Sequence, residues 1–552
     1  MAMLYEYELI AEIKQYAKII VYGAEFRGRC VIRRLKNSFP LGNIFSAISD
    51  TEGKIDYCED CLVRDISYYA KMANETCVVL IATREKYHSE IEAAVSSYGF
   101  LNIIRISESL FHSLHLEDRA EHADKMQRKS HFLQMQTMHA IQLERLREKV
   151  RLGARVKVVF LLASISTFNF ASLYSAMEKN PLFDAVIMLI ADSYRDDLSN
   201  KEVLAPMKRY AQTLSYDGFN IVWGYDEHSC PISIESLHAD IIIYNSCYLG
   251  RRYPAYIQSA HANNVRINIS NTLSCYMSYG MWIPKGNYKY HFENDEVLPA
   301  WRFFSGNRSE YELAASSAIT NGLQHILSGH PLFDSYTSAL NLTLPPKLQG
   351  KDKLIVIAPH FSMGRGYEIT SFHIFWKQII ELLSENPNIG FVFKPHPALS
   401  SEIRRRESSG DNAGLPTFAQ WQEYCKTWEN SPNGIIVADS SFIDWFRHSD
   451  CLITDSLSFI LTYLPTEKPC IFLANPDATD FYGFFYDYIV PVLESYYVCD
   501  NAHMFEKLFD ELIIGGNDAK ACERKRQSKL NVHNLGHAGK FIADYIEKQI
   551  IG

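Results

Sequence analysis

The stretch from His448 to Ile460 constrains the fold of this chain more than any other. It opens polar, runs through the apolar Cys451, Leu452 and Ile453, and meets a hydroxyl-rich turn at Thr454 to Ser458. Phe459, Ile460, Leu461, Tyr463 and Leu464 then follow at helical spacing. That order reads as a buried strand, a tight turn and a helix start. Such a turn offers free backbone N–H groups, serine hydroxyls and the positive end of a helix dipole to an anion, with phosphate the natural guest. Ordinary N-capping by Ser456 or Ser458 accounts for the same residues, and both readings stand at this point.

Other strand exits nearby carry chemistry of the same kind. Gly390-Phe391-Val392-Phe393-Lys394-Pro395-His396-Pro397 is a strand ending in a cation, a proline and an imidazole. Leu354-Ile355-Val356-Ile357-Ala358-Pro359-His360 ends in Pro-His again, and Lys468-Pro469-Cys470-Ile471-Phe472-Leu473 adds a further buried strand. In an open parallel sheet, ligands sit at the C-terminal ends of the strands. The expected site therefore gathers His360, Lys394, His396, Asp455, Ser456 and Ser458.

A length of 552 residues predicts about three or four domains. The net charge of -9 supplies no global basic field, so nucleic acid is not expected as a partner. Twelve cysteines lack a regular frame, and the Cys58-Glu59-Asp60-Cys61 pair has no second pair at zinc-binding spacing. Reduced thiols and no metal or cofactor are the expectation. No secretory core and no run of about eighteen apolar residues occurs, which predicts a cytoplasmic protein able to touch the inner face of the membrane peripherally.

Along the chain, residues 1–115 read as a Rossmann-like domain, with a strand and glycine turn at Lys18 to Gly28, a second strand ending in Asp50 and a third at Cys77 to Ala82. Asp50 stands where a ribose-binding acid would, but Glu25 replaces the middle glycine, and a carboxylate there repels a pyrophosphate. Residues 116–154, free of proline and largely of glycine, read as a solvated connecting helix in which Met126, Met135 and Met138 pack. Residues 155–345 alternate strands and helices, the last strand drawn at Arg266 to Ser270. Loops at Asn245 to Tyr248 and Ser270 to Tyr279 are expected to line a cleft, their tyrosines and amides suiting a polyol or being simply polar loops. Residues 346–552 form the last α/β domain, with a mobile loop plus a helix at Ser400 to Asn433 and a C-terminal helix over Leu535 to Ile551 that folds back on another domain. The fold class is thus α/β, with two Rossmann-like domains in a GT-B arrangement after an N-terminal Rossmann-like domain.

Residues from about 155 to 515 resemble the CDP-glycerol:poly(glycerophosphate) glycerophosphotransferase family, which builds teichoic acids and capsular polymers. The resemblance rests on Lys394-Pro395-His396-Pro397, on Ser449 to Ser458, on Lys468 to Phe472 and on Phe481-Tyr482-Gly483-Phe484-Phe485-Tyr486-Asp487. The family's Trp-His-Gly-Thr element, whose histidine is its proposed base, is absent, and Ser270 to Gly280 stands in its place without a histidine. Tyr482 replaces the arginine of the aromatic stretch. The chain thus resembles a divergent branch, with another donor or a single transfer in place of polymerisation.

The resemblance implies a transferase that moves glycerol phosphate or ribitol phosphate from a CDP-linked donor to a hydroxyl of a polysaccharide or lipid-linked acceptor. Ser456, Ser458, Lys394 and Arg365 would hold the diphosphate, and Asp487 the polyol. His396, or alternatively His360, would take the acceptor proton, with Asp455 orienting a histidine or capping a helix. A nucleotide-sugar glycosyltransferase, with Asp477 and Asp480 as ribose contacts, and a non-catalytic assembly module remain alternatives. A homo-oligomer is compatible with all three.

Overall fold

Short strands of two to seven residues, most of them apolar and set between helical stretches, build three largely parallel sheets. The computed structural model describes residues 6–552 apart from 25, 37, 49–56, 60, 163–167, 191–200, 227–231, 233, 247–271, 282, 286–290, 294–296, 318, 341, 364–368, 411–413, 438–441 and 479. The chain divides into two compact units, Met1–Ser130 and His131–Gly552, and the division falls inside one 44-residue helix, Glu108–Arg151. Among the described residues no helix is long and apolar enough to cross a membrane.

The first unit holds strands β1 (Lys18–Tyr22), β2 (Ile44–Ile48), β3 (Tyr57–Cys58), β4 (Cys61–Asp65), β5 (Cys77–Ile81) and β6 (Asn102–Arg105), in the sheet order β3-β4-β2-β1-β5-β6. Among the described strands of this sheet only β3 runs antiparallel, so Cys58 and Cys61 lie opposite each other in a hairpin, both buried and not joined in a disulfide. A Cβ on Gly28 would fall 1.4 Å from the Gly23 carbonyl oxygen. The first turn of the helix Phe26–Leu35 therefore lies tight against the turn that follows β1, and only glycine fits there. Glu25 and Asp50 lie outside the described residues. In the long helix Met135 is buried, whereas Met126 is exposed and does not pack as expected, because the face it occupies meets solvent.

The second unit carries two sheets. One contains β7 (Val156–Leu162), β8 (Phe183–Leu189), β9 (Ile221–Trp223), β10 (Ile241–Tyr244), β11 (Leu273–Tyr276), β12 (Arg302–Ser305) and β13 (His325–Leu327). The other contains β14 (Lys353–Ala358), β15 (Ile389–Phe393), β16 (Gly434–Ile436), β17 (Cys451–Thr454), β18 (Cys470–Leu473) and β19 (Tyr497–Cys499). Their orders, β13-β12-β11-β10-β7-β8-β9 and β16-β15-β14-β17-β18-β19, both reverse direction beside the first strand, the signature of a doubly wound sheet. Two Rossmann-like lobes of this kind in one unit make the GT-B arrangement.

The lobes share one apolar cluster, in which Val159 and Leu161 of the first join Val356 and Leu452 of the second through Ile283, Phe333 and Phe485. The C-terminal helix Ala538–Ile551 crosses back and buries Ile542, Ala543, Ile546 and Ile550 in the first lobe's core. Its first amides are met by the first lobe: Ala538 N and Gly539 N donate to Asp334 Oδ1 and Oδ2 at 2.9 and 2.8 Å. A Cβ on Gly539 would lie 2.5 Å from Leu173 N, so only glycine lets this helix approach.

Two expectations are corrected. The segment from Ser270 to Tyr279 is not simply a cleft loop: Leu273–Tyr276 is β11, and Tyr276 is fully buried against Tyr244, their ring centroids 5.2 Å apart. Its tyrosine goes to the core because the strand is paired on both sides, with β10 and β12. The strand drawn at Arg266 to Ser270, and Tyr248, lie outside the described residues. The polar insert from Ser400 to Asn433 contains two helices, Leu399–Ser409 and Phe418–Asn430. The second starts with a Thr417–Gln420 capping box and buries Trp421, Tyr424 and Trp428 at spacings of three and four. Trp428 stacks on Phe393 at 4.9 Å, which anchors the end of β15.

Candidate active site at the ends of the last sheet

In the last sheet the direction reverses between β14 and β17, and a crevice opens at such a switch point. Ala358 pairs with Thr454 in register, so Pro359-His360 and Asp455-Ser456 leave the sheet side by side. Thr454 Oγ1 donates to Ala358 O at 2.5 Å and accepts from Ser456 N at 2.9 Å. On the other flank Lys394 N donates to Ile357 O at 2.8 Å and His396 N to Pro359 O at 3.3 Å. The ends of three adjacent strands are thus knitted into one surface, carrying five of the sequence-selected polar residues.

Asp455 is fully buried and spends both carboxylate oxygens on backbone donors. Oδ1 accepts from His360 N at 2.6 Å, and Oδ2 accepts from Ser371 N and Phe372 N, each at 2.9 Å. Burial pushes its pKa up to about 6 despite these bonds. It therefore caps the helix Phe372–Glu385 rather than its own, and holds His360 by the amide rather than the imidazole. This is a positioning role: Asp455 caps a helix, though not the one that follows it, and it meets His360 at the backbone amide, not at the ring.

The two imidazoles stand with ring centroids 5.7 Å apart, and Phe361 lies 4.5 Å from one and 4.8 Å from the other. His360 Nδ1 accepts from Ser362 N at 3.2 Å and lies 2.8 Å from Ser362 Oγ, while His396 Nδ1 accepts from Ala398 N at 3.0 Å. A backbone amide can only donate, so each Nδ1 is an acceptor and each neutral ring carries its proton on Nε2. Burial first, and then His396, lowers the His360 pKa to about 3, so this ring is neutral at physiological pH. A general base needs a bare nitrogen, and the hydrogen-bonding pattern instead makes both rings Nε2–H donors.

Ser456 occupies the N-cap of the helix Leu457–Thr462, yet its side chain makes no capping hydrogen bond. Its hydroxyl lies 3.1 Å from that of Ser458. Ordinary N-capping therefore does not explain this serine. The helix has only six residues, so its dipole is small and the hydroxyls matter more. Lys394 is buried, with Nζ 5.8 Å from the centre of the Phe442 ring.

The remaining candidates fall elsewhere. Arg365 lies outside the described residues. Asp487 is on the seam between the lobes, its side chain 92% exposed and paired with Lys285 at 3.0 Å. Beside it Tyr486 N donates to Ile283 O at 3.0 Å. Asp477 and Asp480 are exposed, and Asp480 accepts from Gly483 N at 2.9 Å. Lys468 is structural: Nζ donates to Arg447 O and Ser449 O at 2.7 and 2.5 Å. In the first lobe His291, His325 and His330 are buried, and desolvation lowers their pKa values to about 2, 3 and 4.

Sequence reasoning missed Ser362, Thr370 and Arg406. Ser362 Oγ lies 2.7 Å from Thr370 Oγ1, and Arg406 Nη2 donates to Ser362 O at 2.6 Å. Ser362 follows Pro359-His360 by two residues, which was a readable signal. Arg406 ends a run of three arginines that looks like surface, and only the helix Leu399–Ser409 turns it inward.

No family model matches the chain, and no curated protein matches it in sequence. Among solved structures it is similar to the wall teichoic acid polymerase TagF, with 16% identity and a TM-score of 0.46 over 78% of this chain and 98% of the other. It is also similar to the UDP-GlcNAc 2-epimerase from Neisseria meningitidis bound to UDP-GlcNAc, with 13% identity and a TM-score of 0.46 over 72% of this chain and 100% of the other. An S. aureus MnaA-UDP structure shares 12% identity at a TM-score of 0.43, over 71% and 96% of the two chains.

Proposed function

We propose that the chain is a transferase that moves a polyol phosphate, glycerol phosphate or ribitol phosphate, from a CDP-linked donor to an acceptor hydroxyl in the making of a cell-surface polymer. The observation that carries this reading is the hydroxyl pair of Ser456 and Ser458, not spent on capping, at the switch point of the last sheet. His360 follows β14, which pairs with β17, and Lys394 and His396 follow β15, which pairs with β14 in the same sheet; this supports a group of hydrogen-bond donors and a cation at the strand ends. Such a set suits the oxygens of a diphosphate.

In the reaction the acceptor oxygen attacks the phosphorus that bears the polyol. A new P–O bond forms as the bond to CMP breaks, CMP leaves with the electron pair, and the acceptor proton passes to solvent or to the departing phosphate. A loose phosphoryl-transfer transition state needs position and charge stabilisation more than a strong base. Ser456, Ser458 and the two Nε2–H groups would donate to the phosphate oxygens, and Lys394 would offset the charge gathering on CMP. His360 and His396 thus serve as donors in this proposal, not as proton acceptors.

The test is CMP release from CDP-glycerol and CDP-ribitol beside a panel of UDP-sugars, with S456A and S458A as controls. Release of CMP that falls in both variants supports the reading. Release of UDP from a sugar donor would move it to glycosyl transfer, because the same donor set holds any nucleoside diphosphate. Absence of turnover and of thermal stabilisation with every donor would end it.

A further inference from the structure

We propose that Arg406 is a positioning residue that, through Ser362, keeps the His360 imidazole in its Nε2–H form; the catalytic meaning of this rests on the transferase reading above. Arg406 lies on the inner face of the helix Leu399–Ser409, far in sequence from β14, and is only 3% exposed. Its Nε donates to Glu402 Oε1 at 2.6 Å and its Nη2 to Ser362 O at 2.6 Å. The Ser362 carbonyl, in the peptide unit that follows the residue, is thereby held, which restricts the backbone rotation of Ser362 itself. Its amide and hydroxyl then both meet His360 Nδ1, at 3.2 and 2.8 Å. The hydroxyl is steadied in turn by Thr370 Oγ1 at 2.7 Å.

A purely structural account of Arg406 is incomplete. Its Nη1 is buried and has no hydrogen-bond partner among the described residues. A bare buried guanidinium nitrogen is costly, and an apolar side chain of similar volume would fill the place without leaving a donor unmet. The ion pair with Glu402 stays within one helix turn and needs no contact with Ser362. What only an arginine here supplies is a fork that grips Glu402 and the Ser362 carbonyl together. Once the carbonyl is released, the Ser362 backbone can rotate between its two peptide planes, its amide and hydroxyl can leave Nδ1, and the ring proton is free to redistribute between the two nitrogens.

The direct test is imidazole nitrogen NMR on the full chain labelled with 15N-histidine, the His360 signals being assigned by their loss in H360Q. The wild type should show Nδ1 as an acceptor and the proton on Nε2. R406Q should show mixed or exchanging tautomers at His360; His373, whose pKa the Arg406 charge helps burial to lower, should shift as well, and histidines remote from Arg406 should not move. An unchanged His360 pattern in folded R406Q overturns the proposal, and so does an Nδ1–H wild type. If R406Q does not fold, R406K keeps the charge but cannot grip both partners, and the same tautomer mixing is expected of it. Where turnover is measured, R406Q should lower kcat by roughly 10- to 100-fold with much less change in KM for the donor. A chain without transferase activity would leave the NMR result standing, so the two readings fail separately.

Discussion

Replacing Asp455 with alanine should unfasten the end of the last sheet. In the wild type the buried carboxylate accepts from His360 N at 2.6 Å and from Ser371 N and Phe372 N at 2.9 Å. D455A leaves three buried donors unmet, at about 1–3 kcal/mol each, or about 6 kcal/mol together. Against this, the wild type carries a buried negative charge whose pKa is pushed up from 3.8 to about 6. At about 1.4 kcal/mol for each pH unit, relief of that charge returns about 3 kcal/mol at neutral pH. The net loss is about 3 kcal/mol, and for a lobe of this size at about 2–4 °C per kcal/mol the melting point should fall by roughly 6–12 °C. Thermal melting followed by tryptophan fluorescence reads it, since Trp421, Trp428 and Trp445 are buried in this lobe. D455N should lose less, because its carbonyl still accepts and the charge is gone, although its amide must face an N–H.

The pH dependence has a definite sign. The folded carboxyl has a raised pKa, so its contribution is fully present below about pH 4 and is lost as pH rises through about 6. The wild type should show this fall and D455N should lack it. A D455A protein that melts within about 2 °C of the wild type would refute the reasoning, since three orphaned amides could not then be buried there.

Three further outcomes are expected. The double variant S456A/S458A should bind a CDP-linked donor roughly tenfold more weakly by calorimetry, consistent with loss of one or two charge-assisted hydrogen bonds. Because the Ser456 hydroxyl makes no capping bond, its melting point should stay close to that of the wild type. For His360 the lowered pKa, about 3, means stability is present above the unfolded value and is lost as pH falls from about 6.5 towards 3. Its imidazole should not titrate between about pH 5 and 9 in NMR, and a transition near 6.5 would contradict its burial. K468M should destabilise the lobe by about 1.5–3 kcal/mol, because two carbonyls lose a charged donor. Donor affinity should be unchanged in that variant, which calorimetry checks.

Hydrophobic period and turn chemistry, written locally along the chain, were sufficient to read three α/β sheets, the Pro-His exits of β14 and β15, and the Thr-Asp-Ser turn after β17. Strand β11 escaped because its Leu-Ser-Cys-Tyr run is flanked by serine, asparagine and threonine, so its burial is imposed by pairing with β10 and β12 rather than by its own pattern. One helix was expected in the 400–433 insert, and the second was missed for a similar reason: the exposed faces are polar, and Trp421 and Trp428 show their purpose only against Phe393. Residue types by themselves marked the histidines as chemically able groups. Which nitrogen bears the proton depends on the amides of Ser362 and Ala398, and the place of Arg406 depends on a helix that follows β15. Direction, tautomer and charge at a site are set by contacts between segments distant in sequence, and only the packed chain brings those segments together.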